Sequence, residues 1–201
     1  MKGLIITLFF ICCADILTAQ HAIDTLKLKS AYRELVQNPS SEENQKKFFN
    51  AFPNSWKAFL WVYDYYPNGD LTMYKLGYDH IMNGLGKLIT LIPDSVYCDK
   101  LIRLSVDGRW DADAPTYLQT ILWETMQKKP EVMFKRLSLL WEGDVFPFWY
   151  FFFHTLHTTK EDVAMYGELK LKMQKKYPSI VKDMDIAFSV ASGKASIPSR
   201  E

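Results

Sequence analysis

Apolar residues recur every three or four positions along most of the chain, and prolines interrupt this pattern at short intervals. The first clear stripe consists of Leu28, Ala31, Tyr32 and Leu35, and it ends before Pro39. Side chains three and four positions apart share one face of a helix, so such stripes are typical of amphipathic helices. A proline lacks the amide hydrogen that a helix interior requires, and it therefore limits each helix to a short segment. The pattern predicts an all-α protein.

We expect nine or ten helices in antiparallel succession. No alternating run flanked by turn residues is long enough to require a sheet. Gly77, Gly84 and Gly86 weaken the fourth helix and predict a kink or a close helix contact there. The predicted helices cover residues 28–36, 40–52, 56–63, 71–91, 95–106, 114–129, 132–141, 145–157, 160–176 and 179–191.

Residues 146–153 are the most apolar part of the chain, since Pro147 is their only residue that is not aromatic. A run of this length could be a buried strand. The neighbouring helices and the place of Pro147 near a helix start favour a fully buried helix instead.

The arrangement of the helices has two interpretations. Either they form an irregular multi-helix bundle, or they form a short stack of antiparallel helix pairs that resembles an α-solenoid. Possible pair starts lie near residues 24, 54, 94, 130 and 159, but no sequence signature is repeated at these positions. Both interpretations remain open at the level of sequence.

The first 19 residues have the pattern of a secretory signal peptide. Lys2 precedes an apolar run that ends at Cys13, and Ala19 is a small residue at the expected cleavage point. The alternative is an uncleaved anchor, but the run is shorter than the ~20 residues of a spanning helix, and Asp15 interrupts it. We therefore expect a signal peptide (1–19), a single helical domain (20–192) and a flexible tail (193–201), with no transmembrane segment after cleavage.

Charge and cysteine content narrow the function classes. The chain has 24 basic and 23 acidic residues and a net charge of +1, which argues against a nucleic-acid partner.

Cys12 and Cys13 lie in the signal segment, so Cys98 is left alone and an internal disulfide is not possible. Its apolar neighbours at helical spacing predict a small buried hydrophobic residue and not a catalytic thiol.

His154 and His157 are the best candidates for chemistry. Residues three apart share a helix face, so both imidazoles could bind one metal ion. We expect no cofactor, and a zinc ion bound by this pair is the alternative. The motif lacks the glutamate of the zinc-protease pattern, and two histidines near a helix end are also explained by the helix dipole. Possible further ligands are Glu142, Asp144, Glu161 and Asp162.

Capping residues predict where two helices begin. Ser40 and Glu43 have the spacing of a capping box, and Thr158 and Glu161 have the same spacing. In this motif each side chain satisfies a free backbone amide of the first helical turn.

The clearest interior loop covers residues 107–113. Asp111 and Asp113 resemble part of a calcium loop, but Leu122 occupies the position of the bidentate acid. We therefore expect Asp113 to cap the helix that follows. Earlier in the chain, Asn54 or Ser55 is expected to cap the third helix.

Six tryptophans are more than a helical domain of this size buries easily. Exposed aromatic side chains commonly contact protein or carbohydrate partners. Trp110, in the interior loop, is the expected exposed tryptophan, and Trp61 is a second candidate binding residue. The alternative is that most of these side chains fill gaps between helices.

Three segments carry a resemblance to known sequences: residues 45–57, 129–133 and 149–152. With their aromatic and proline positions, they resemble a group of uncharacterised exported all-helical proteins of Bacteroidetes-type bacteria. The junction of Ala19 and Gln20 is similar to export sites common in those organisms. The resemblance implies a periplasmic or extracellular location, in association with the envelope, and assigns no catalytic residue.

These observations together predict an exported interaction module that is not an enzyme. Its expected partner is another envelope or extracellular protein, or a glycan. The alternative is a metal-dependent hydrolase that uses His154 and His157.

Overall fold

The computed structural model describes residues 23–65 and 71–196, and these residues form eleven helices and no strand. The predicted signal peptide lies outside the described residues, as does most of the predicted tail. The helices are α1 (Thr25–Gln37), α2 (Glu42–Ala51), α3 (Trp56–Tyr63), α4 (Thr72–Lys75), α5 (Asp79–Leu88), α6 (Asp94–Ser105), α7 (Ala114–Lys128), α8 (Pro130–Leu137), α9 (Glu142–Phe153), α10 (Lys160–Met173) and α11 (Pro178–Ala191).

The helices pack as an irregular multi-helix bundle around one continuous hydrophobic core. Helix α9 contacts α6, α7 and α11, while α6 also contacts α3 and α8. The all-α prediction is confirmed. Within the described part of the chain, every helix is too short or too polar to cross a lipid bilayer.

The aromatic run forms α9, as predicted. Phe148, Trp149 and Phe151 are completely buried in this helix, and their rings supply much of the apolar area that stabilises the bundle. The helix begins at Glu142, three residues before the predicted start, so Pro147 lies inside it and not near its first turn.

The predicted helix over residues 71–91 is divided in two. Thr72–Lys75 is a short helix, and Asp79–Leu88 winds as a π-helix, a rare form with a wider turn. The predicted close contact is confirmed, because a Cβ atom at Gly84 would lie only 2.8 Å from Phe48 Cζ.

Two predicted capping boxes are wrong by one residue. Helix α2 is capped by Ser41, whose hydroxyl accepts a hydrogen bond from the Asn44 amide. Helix α10 begins with a complete capping box of Thr159 and Asp162. The predicted cap of α3 by Ser55 is confirmed.

Candidate functional site

An open cavity of about 470 Å³ lies where the ends of α1, α2 and α3 meet. This volume falls within the range of roughly 300–1,000 Å³ that is typical of small-molecule sites. Two other clefts enclose only about 110 and 70 Å³. Half of the ten residues that line the large cavity are polar: Asp24, Lys27, Asn50, Asn54 and Ser55.

The start or end of each of the three helices, set by local sequence, determines where the cavity lies. Asp24 caps α1 by accepting a hydrogen bond of 2.9 Å from the Lys27 amide. Helix α2 ends just before Phe52, and the extended backbone of that residue leads through Pro53 to the cap of α3. The start of one helix, the end of the next and the start of a third therefore meet at one place.

Lys100 of α6 anchors the segment between α2 and α3 by hydrogen bonds to its main chain. Its Nζ donates hydrogen bonds to the main-chain oxygens of Phe49, Phe52 and Pro53, at 2.6, 3.0 and 3.4 Å. The side chain is 2% exposed, and its Nζ lies 4.5 Å from the centre of the Phe49 ring. Because Phe52 and Pro53 also line the cavity, Lys100 fixes part of the cavity wall.

Burial lowers the pKa of Lys100 to about 7, and the charge of Arg103 acts in the same direction. A protonated amine has three N–H donors, which match the three carbonyl oxygens, whereas a neutral amine has two. The three carbonyl groups therefore favour the charged form against the effect of burial.

The polar side chains that face the cavity are available to a ligand. Asn50, Asn54 and Lys27 are exposed, and within the described part of the chain their side chains form no hydrogen bond or ion pair. Amide groups donate and accept hydrogen bonds at once, which suits ligands that carry hydroxyl groups. The lining thus offers side chains with free hydrogen-bonding capacity on a backbone that Lys100 and the helix caps hold in place.

The tryptophans predicted as binding residues do not line this cavity. Trp61 is half exposed on α3, whereas Trp110 is only partly exposed in its loop, so the expectation that Trp110 is the main exposed tryptophan is wrong. Trp141, just before α9, is 76% exposed and was not predicted. Trp149 is completely buried, in agreement with the alternative that some tryptophans fill the core.

The two candidate metal ligands do not share a helix face. Helix α9 ends at Phe153, His154 has an extended backbone, and His157 is exposed in the loop before α10. The His154 ring stacks on Tyr150 at a centroid distance of 4.7 Å, and burial lowers its pKa. Among residues 23–65 and 71–196, no group of three histidine, cysteine or acidic side chains could hold a metal ion.

The structure also tests the expected helix cap at Asp113 and the expected burial of Cys98. Asp113 does not cap α7 with its side chain, because its backbone has a positive φ of 60° and its carboxylate accepts a hydrogen bond from the Tyr74 hydroxyl at 2.6 Å. Cys98 is completely buried, as predicted, and this burial raises the pKa of its thiol to about 11.

Comparisons with known proteins add no relative: no protein-family model, curated protein or solved structure matches the chain. The resemblance to exported helical proteins stays a prediction. The candidate site accordingly rests on the geometry of the cavity between α1, α2 and α3.

Proposed function

We propose that the protein is an exported binding protein, not an enzyme, whose cavity takes a small hydroxyl-rich ligand such as the end of a glycan. The observation that carries this proposal is the cavity of about 470 Å³ with free amide groups at Asn50 and Asn54. A saccharide presents many hydroxyl groups at fixed angles, and amide and carboxylate side chains can bind them in pairs.

The wall of the cavity is held in place before a ligand arrives. Lys100 ties the segment between α2 and α3 to α6, and caps at Asp24 and Ser55 fix the two helix starts. A site that is ordered in advance loses less conformational entropy on binding, which supports recognition by a modest number of contacts.

The proposal is tested by titration of the isotope-labelled protein with a panel of mono- and disaccharides from bacterial envelopes, followed by NMR. We expect one saccharide class to shift the side-chain amide signals of Asn50 and Asn54. The double variant Asn50→Ala, Asn54→Ala should weaken that binding at least about fivefold, since each lost hydrogen bond contributes roughly 0.5–1.5 kcal/mol.

Gln127→Ala is the matched control, because Gln127 is an exposed amide on α7 outside the cavity. It should bind the saccharide as the natural protein does. The proposal is wrong if no saccharide shifts the cavity signals, or if the double variant binds with unchanged affinity.

A protein partner is a second candidate, favoured by Trp141. Its indole ring is exposed but packs so closely on Gly143 that a Cβ atom there would collide with the ring. An exposed aromatic ring with a fixed orientation is typical of the anchor residues of protein interfaces. Crosslinked capture in the native host tests this candidate. A partner that is retained by Trp61→Ala and lost by Trp141→Ala would support it.

The metal-dependent hydrolase remains a prediction of the sequence alone. Its test is the metal content of the purified protein, measured together with the His154→Ala, His157→Ala variant. A stoichiometric metal that disappears in the variant would favour the hydrolase over the binding protein.

A further inference from the structure

His80 joins the three helices whose ends form the cavity. Its side chain is completely buried in α5. The imidazole ring lies 4.5 Å from the ring of Tyr32 in α1, 6.0 Å from Phe48 in α2 and 5.9 Å from Tyr63 in α3, measured between ring centres. A change at this one side chain therefore reaches α1, α2 and α3 together.

Only one nitrogen of this imidazole has a hydrogen-bond partner. Nδ1 lies 3.0 Å from the Tyr63 hydroxyl, while Nε2 is buried and has no partner within the described part of the chain. A neutral imidazole has one N–H group and a protonated imidazole has two. The second proton would add a positive charge and leave a buried donor among aromatic rings, which is costly.

The groups around the imidazole compensate for this charge only in part. The titratable groups that face it are Tyr32 and Lys29 of α1, Tyr63 of α3 and Asp79 of its own helix, while α2 contributes the uncharged Phe48. No charged group of α7, which also packs on α5, acts on it. Burial is the largest effect and lowers the pKa of His80 to about 4; Asp79 opposes this effect and Lys29 adds to it.

We propose that His80 is a proton-sensitive latch on the ligand cavity. The neutral ring holds α5 against Tyr32, Phe48 and Tyr63, and the protonated ring is expelled from this contact, so that α1, α2 and α3 loosen and the cavity loses its shape. The latch rests on the proposed function only for the identity of the ligand. Its physiological consequence is release of the ligand on acidification.

The pH dependence of opening follows from the difference between the His80 pKa values in the open and closed states. The open state has an ordinary histidine with a pKa near 6.5, and the closed state has a pKa of about 4. The open state binds the proton more tightly, so the opening equilibrium rises about 50-fold between pH 7 and pH 4.5.

Hydrogen exchange measured on the full protein without ligand tests the latch directly. After correction for the intrinsic effect of pH, we expect amides of α1, α2 and α3 to exchange about 50-fold faster at pH 4.5 than at pH 7, and those of α10 and α11 to change little. His80→Gln, which cannot take up this proton, should lose the effect, and the exposed His157→Gln should keep it.

Two variants that leave His80 in place keep the proposal testable if His80→Gln does not fold. Removing the Asp79 charge in Asp79→Asn lowers the pKa of His80 in the closed state, so the acid-induced rise in exchange should become larger, most clearly below pH 4.5. Removing the Lys29 charge in Lys29→Gln raises that pKa, so the rise should become smaller. Changes of opposite sign are the signature of titration at His80. Equal exchange rates at both pH values, a uniform increase across all helices, or an unchanged effect in His80→Gln would overturn the proposal.

Saccharide affinity at the two pH values separates the latch from the proposed function. If the latch opens but no saccharide binds at pH 7, the proposed function fails and the latch stands. If a saccharide binds equally well at both pH values although the helices loosen, the link between His80 and the cavity is wrong.

Discussion

The Nζ atom of Lys100 lies 2.6 Å from the main-chain oxygen of Phe49, in the last turn of α2. The lysine is 51 residues further along the chain, and its amine satisfies carbonyl groups that the end of a helix leaves without partners. A cation at this position also interacts favourably with the negative end of the helix dipole. This contact joins the core helix α6 to the cavity wall.

Lys100→Met should destabilise the protein by about 2–4 kcal/mol, because it leaves three buried carbonyl oxygens without their donor. Urea denaturation followed by circular dichroism measures the change. Lys128→Met is the control, since Lys128 forms an exposed ion pair with Glu124 and its loss should change stability by at most about 1 kcal/mol. Equal stabilities of the two variants would contradict the structural role of Lys100.

The stability of the folded protein should rise with pH above neutrality. The pKa of Lys100 is about 7 in the folded protein and 10.5 in an unfolded chain, so the unfolded chain binds more protons between these values. The free energy of unfolding should therefore increase with pH, by up to about 1.4 kcal/mol per unit. The measurement is a series of urea titrations from pH 7 to pH 9. A slope that persists in Lys100→Met would assign the effect to another group.

Gly84→Ala should destabilise the protein by about 1–3 kcal/mol, although alanine is the better helix former. The new Cβ atom would lie 2.8 Å from Phe48 Cζ and 3.2 Å from Tyr32 Cε2, so two rings that contact His80 would have to move. Thermal unfolding measures the loss.

Gly167→Ala is the matched test of the opposite sign. Gly167 lies in α10, and a Cβ atom added there would have no neighbouring atom within 4 Å, so the substitution gains helix propensity without a collision. We expect an increase in stability of up to about 1 kcal/mol. If both glycine variants destabilise the protein equally, close packing is not the cause of the Gly84 effect.

Cys98 should react slowly with thiol reagents in the folded protein. The side chain is completely buried, and burial raises the pKa of its thiol to about 11, so little reactive thiolate is present at pH 8. Reaction with a disulfide reagent should be at least about 100-fold faster in denaturant. Comparable rates in the two states would show that the packing around Cys98 opens readily.

Much of the helical framework could be predicted from the sequence. Proline positions and the helical repeat of apolar residues indicated all of the long helices, and the aromatic run was correctly assigned to a buried helix. Cap positions were less certain, because spacing alone does not distinguish Ser40 from Ser41. The choice depends on the direction in which the chain leaves the preceding helix.

The end of α9 could not be predicted from the sequence, for a different reason. The prediction continued this helix to residue 157, but Gln119 of α7 donates hydrogen bonds to the main-chain oxygens of Phe151 and His154, at 2.6 and 2.9 Å. A side chain more than thirty positions away in the sequence thus satisfies the end of the helix. This contact explains why His154 and His157 do not lie on one helical face.

The all-α class, the approximate bounds of the helices and the burial of the aromatic run and Cys98 could be predicted, because these depend on local spacing and on apolar surface. The positions of Lys100 and His80 could not, because they depend on contacts between distant segments of the chain. Lysine and histidine side chains are normally expected at the surface, since burial of a polar group is costly without a partner. Here the carbonyl oxygens of α2 and the hydroxyl of Tyr63 supply those partners from distant parts of the chain.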